Sequence, residues 1–155
     1  MTTHSDQPLH YPAHYPPTNR WQRFFIGVRW LGPDLSFFKL LQSAQASRTR
    51  ETMDAWGGGD RQSLATEVGI ALAMQCGWPT PYFVPEDHVA VIVGGPEFGA
   101  TDGTDVDNAI GAIEEVAGVK MGTAFWWSSG SRSLGYVVDQ LLVAAGSDRA
   151  FKPAA

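Results

Sequence analysis

Residues 82–95 read YFVPEDHVAVIVGG, and the reading of this stretch decides the fold. Val89, Val91 and Val93 alternate with Ala90 and Ile92, the period of a strand whose side chains point to opposite faces in turn. The run is strongly β-branched and apolar on both faces, so the reading is a strand covered on each side. Val119 to Trp127 reads as a second strand.

Working outward, the flanking segments carry helical periods. Upstream, residues 61–76 place Leu64, Val68, Ala71, Leu72 and Gln75 on one face, with Ala65, Ile70 and Met74 thickening the stripe, so this helix is expected to be buried on most sides. Asp60 is its expected cap, Gly77 its left-handed exit, and Pro79 prevents resumption. Before it, SRTRETMDAW suggests a short helix ended by Gly57-Gly58-Gly59, and Asp34 can cap a helix with Phe37, Leu40, Leu41 and Ala44 on one face. Downstream, GGPEFGATDGT at 94–104 reads as a surface loop. Thr104 and Asp107 have the spacing of a capping pair for a helix carrying Val106, Ala109, Ile110, Ile113, Val116 and Ala117 up to Gly118. After SSGS, a last helix aligns Leu134, Val137, Val138, Leu141, Leu142 and Ala145 and is expected to stop at Gly146. Residues 21–31 fit a helical stripe and a strand equally well.

The expected architecture is therefore α+β, or a small α/β fold: a small sheet covered by about four or five helices. Its expected organisation is a flexible tail over 1–19, rich in Pro, His and Tyr, one globular domain over 20–147, and a frayed end over 148–155. The length of 155 residues suits one core, and 44% apolar against 17% charged residues is enough to offset the entropy of folding.

A formal charge of −5, from 16 acidic and 11 basic side chains, disfavours nucleic acid and suits a basic protein partner. Cys76 is the only cysteine, which excludes an intramolecular disulfide and any multi-cysteine zinc site. No run is long and apolar enough to span a bilayer, and the start lacks a signal-peptide core, so the expected location is the cytoplasm with no membrane partner.

For catalysis, His88 beside Asp87 and Glu86, with Cys76 upstream, supplies an acid or base, an orienting carboxylate and a nucleophile. Neighbours in a strand point apart, however, and a cysteine closing a buried helix is ordinary packing. SSGSR offers Ser129, Ser131 and Arg132 to an anion at a helix start, although N-capping explains the same residues. GGGDR lacks the lysine of a phosphate loop. His10 and His14 are separated by Pro12, and Asp102, Asp105 and Asp107 lack a calcium-loop order, so no metal or cofactor is expected.

Six tryptophans are the sharper signal. On a strand, Trp126 and Trp127 face opposite sides, so one meets a partner unless the sheet is covered twice. Trp78, Tyr82 and Phe83, set among prolines, form a second aromatic stretch, which reads as a proline-fixed connector from helix to strand or as a rigid recognition edge. These features favour a non-enzymatic protein-binding module, such as a small acidic inhibitor or immunity-type protein or an adaptor, contacting its partner through Trp78, Tyr82, Phe83, Trp126, Trp127 and Arg132. The other two readings are a small enzyme using His88 with Asp87 or Glu86, and a self-associating subunit.

Overall fold

The structure, a computed structural model, describes residues 7–13, 15, 35–96 and 103–151. Among them are seven helices and no sheet, so the α+β expectation is corrected to a helical architecture. In chain order these are α1 (Phe37–Ala46), a 3₁₀ helix (Arg50–Trp56), α2 (Gly59–Cys76), α3 (Val89–Gly94), α4 (Gly103–Ala117), α5 (Thr123–Ser129) and α6 (Leu134–Phe151). The ambiguous 21–31 stretch, Asp34 and most of the 94–104 loop lie outside the described residues.

The expected first strand is α3. An apolar run at every position carries no period that separates a strand from a short buried helix, and β-propensity expresses packing more than backbone preference. A strand needs a neighbour for its amides and carbonyls, and here the only described pairing is an isolated antiparallel bridge between His88 and Ser133. From Val89 the chain coils instead. The His88 carbonyl accepts from the amides of Val91 and Ile92, and the Ile92 carbonyl, at the helix end, accepts from the Gly95 amide at 3.2 Å and from Trp78 Nε1 at 2.8 Å. Val91 and Ile92 are thereby buried together on one face.

The expected second strand divides into an irregular stretch at 119–122 and α5. Gly122, at φ 86°, turns the chain into the helix, and Glu114 Oε2 holds the turn by accepting the Met121 amide at 2.7 Å.

α2 is the central element and packs on α4, the 3₁₀ helix, α3 and α6. Leu64, Ala65, Val68, Leu72 and Cys76 form its core face, whereas Ile70 and Met74 are exposed, so the stripe is narrower than the sequence suggested. Its N-cap is Gly58, with Asp60 in the first turn, and Gly77 at φ 82° makes the left-handed exit. Gly69 permits a close approach: a Cβ there would collide with the Pro81 carbonyl. In α1 the cap is Ser36 and the buried residues are Phe38 and Gln45, while Leu40 is exposed. α6 passes through Gly146, the expected stop, to Phe151.

The connector between α2 and α3 is fixed by side chains from elsewhere. Trp56 Nε1 donates to the Phe83 carbonyl at 2.8 Å, and Gln45 bonds to both the amide and the carbonyl of Thr80. Arg48 and Asp87, both fully buried at the side chain, form a bidentate pair at 2.7 and 2.9 Å. Arg48 also donates to the carbonyls of Gln7 and Tyr82, and the Asp87 oxygens accept the amides of Leu9 and Val84. Among the described residues, no buried side-chain nitrogen or oxygen lacks a hydrogen-bond partner.

Part of the segment read as a flexible tail is accordingly fastened to the core. Leu9 is fully buried, and its carbonyl accepts the His88 amide at 2.9 Å. Tyr11 packs edge-on against Tyr15, Phe37 and Phe38. Burial, and then the nearby Tyr15, push the Tyr11 phenol up to about 12 from its ordinary 10.0.

Two outcomes follow from this packing. Asp87→Ala leaves the Arg48 guanidinium buried without its counter-ion and should cost about 3–5 kcal/mol in urea unfolding. For Tyr11, the folded state holds a proton that the unfolded chain releases, so its contribution is complete below pH 10 and is lost as pH rises towards 12. The decline of stability across that window should be smaller in Tyr11→Phe, as read by unfolding at a series of pH values.

Candidate functional site

α4 and α5, joined by the 118–122 turn, enclose a groove of about 640 Å³. Val106, Ile110 and Trp126 give it apolar walls, while Asp107, Glu114 and Lys120 supply charge. The α4 side follows from helical spacing, since Asp107, Ile110 and Glu114 lie three and four apart and share a face. Glu114 Oε2, besides fixing the Met121 amide, is 3.4 Å from Trp126 Nε1, a long bond that orients the indole across the groove. Phe125 supports Trp126 edge-on with ring centroids 5.0 Å apart.

Helical geometry decides the fate of the adjacent tryptophans. Successive residues of α5 diverge by about 100° rather than pointing to opposite faces. Trp126 is half-buried against the core, and Trp127 stands 83% exposed at the edge of the groove. Behind the groove lies a smaller cavity of about 80 Å³, with almost purely apolar walls that include Leu72, Val89 and Val137. Val106, Ile110, Trp126 and Gly130 line both spaces, which therefore share a wall.

The second aromatic stretch is built differently. Trp78 and Phe83 are core residues, meeting edge-on at 6.2 Å, and Tyr82 is partly buried against the core with its carbonyl accepting from Arg48 and Gln45. The Trp78–Asp87 segment is thus fastened to the body from several sides.

Beyond the 129–132 turn, the first amides of α6 are taken by acceptors within the protein. The amides of Leu134, Gly135 and Val137 donate to the carbonyls of Asp87, Pro85 and Ser133, and the Tyr136 amide donates to Ser133 Oγ at 3.3 Å. Ser129 is buried and bonded to the Phe125 carbonyl, Ser131 is bonded to the Ser128 carbonyl, and Arg132 lies 4.8 Å over the Tyr136 ring. In the glycine stretch, the Gly58 amide is taken by Gln62.

The catalytic residue types are not gathered in one cleft. Both Asp87 oxygens are occupied by Arg48 and backbone amides. His88 and Glu86 are exposed, the His88 ring lying 6.1 Å from that of His10, while Cys76 is buried in the core. His14 and Asp102 lie outside the described residues, among which no group of three or more potential ligands could hold a metal.

The groove was only half legible. Val106 and Ile110 belonged to the recognised α4 stripe, but Glu114 and Lys120 gave no signal of their own because their role depends on the turn and helix that replace the expected strand. Compared with protein-family models, with curated proteins and with solved structures, the chain matches none.

Proposed function

We propose that this chain is a non-enzymatic binding protein that engages another protein through the α4–α5 groove, with Trp127 as its anchor. The supporting observation is the placement of that indole, 83% exposed beside a concave surface with both apolar walls and charged groups. A tryptophan offers about 150–250 Å² of contact area, and tryptophans are over-represented among the residues that dominate interface energies. Trp126 is a second contact from the groove wall. Trp78 and Phe83, buried in the core, are left out of the proposed contact set, and Arg132 lies on the turn beyond α5.

The commitment of Asp87 to Arg48 argues against the acid–base reading, since His88 then lacks that carboxylate as an orienting partner. The net charge of −5 favours a basic partner. Among the described residues no helix is long and apolar enough to cross a membrane. A single buried cysteine suits a reducing compartment such as the cytoplasm.

Affinity capture from the native cell extract, run in parallel with wild type and Trp127→Ala, tests this reading. A stoichiometric protein should be retained by the wild type and bound about 30-fold more weakly by the variant, with thermal stability unchanged. Equal retention by both would overturn the role of Trp127, and a loss of thermal stability would place that indole in the fold instead of an interface.

A further inference from the structure

We infer that the apolar cavity behind Trp126 is a pocket for one aliphatic side chain of the partner, carried next to a basic residue that remains in the groove. This rests on the binding reading above and adds the chemistry of the occupant.

Size sets the first half. At about 80 Å³ the cavity is roughly half the ~150 Å³ of an apolar cavity that accepts benzene, so it has room for a single small apolar group, and a branched aliphatic side chain is a fitting occupant. Its walls, among them Leu72, Val89, Ile113 and Val137, offer such a group contacts on every side and offer water almost no polar partner. Access comes through the wall that the cavity shares with the groove, where Trp126 is held from the groove side by the 3.4 Å bond to Glu114.

Charge sets the second half. The groove presents Asp107 and Glu114 against Lys120, on a chain whose net charge is −5. A cation beside the aliphatic group would face Asp107, which is exposed on the same face of α4 that lines the groove.

The test uses 3-methylbutylammonium as a probe, because it joins the alkyl group to the cation, and follows the methyl resonances of the intact protein. The methyls of Val89, Ile113 and Val137 should shift saturably, with a dissociation constant of about a millimolar. 3-Methylbutanoate, with the same alkyl group and the opposite charge, should bind about tenfold more weakly. Ala109→Leu, which adds carbons at a fully buried cavity position, should weaken the probe about tenfold or more. If that variant fails to fold, Gly130→Ala replaces it. A Cβ there meets only the Trp127 carbonyl oxygen, at 4.0 Å, so the fold is kept, and the methyl in the shared wall should weaken binding about threefold or more.

Shifts confined to groove residues, or unchanged in the filled variant, would overturn the cavity assignment. Equal binding of the anion would overturn the basic partner, as would cavity shifts that appear with rising protein concentration alone, which would make a second copy the occupant. Since no partner is needed, failure here leaves the role of Trp127 to be decided by the capture experiment.

Discussion

The buried pair of Arg48 and Asp87 is the interaction on which the rest of the described structure depends. Taking both charges out of water is expensive, and such a pair persists only when its remaining hydrogen-bonding capacity is filled. Here it is filled by backbone groups: the amides of distant Leu9 and neighbouring Val84 on the carboxylate, and the distant carbonyls of Gln7 and Tyr82 on the guanidinium. The Asp87 backbone completes the junction by accepting the Leu134 amide at 2.7 Å, which ties in the start of α6. One residue, through its carboxylate and its carbonyl, thus joins the N-terminal segment, the chain just after α1, the α2–α3 connector and the last helix.

This constraint explains why a strand-like sequence coils. Asp87 is fixed by four donors on its side chain and His88 by its amide to Leu9, so the chain enters Val89 with its direction set and with only the His88–Ser133 bridge for lateral pairing. An intrasegment ladder is then the available way to satisfy the amides that follow. Trp78 closes the far end, and with Trp56 it shows what the indoles of the core do: each fills volume and places one N–H on a backbone carbonyl.

The sequence was legible where pattern is local. α2, α4 and α6 were readable because apolar residues recur at helical spacing, and Gly77 and Gly118 both take the left-handed conformation that ends a helix. It was illegible where the deciding partner is remote. Asp87 looked like support for His88 because they are adjacent, yet its partner Arg48 lies 39 positions away. Leu9, alone among prolines and polar residues, carried no period, and the run at 89–93 carried every period at once. The adjacent Trp126 and Trp127 are ambiguous in sequence, because which of them is exposed depends on their sitting on a helix.

The same division explains the site. Trp78 and Phe83 are absorbed by the core that the ion pair organises, whereas α5 carries Trp127 at a groove edge. Stability and recognition therefore use different aromatic residues.

Native-state hydrogen exchange at single-amide resolution tests the organising role of the pair most directly. The amides of Leu9 and Val84, which donate to Asp87, should exchange with the same opening free energy as those of Val68 and Leu72 in the buried face of α2. Exchange of Leu9 and Val84 near unprotected rates, while α2 stays protected, would contradict the claim that this junction holds the fold together.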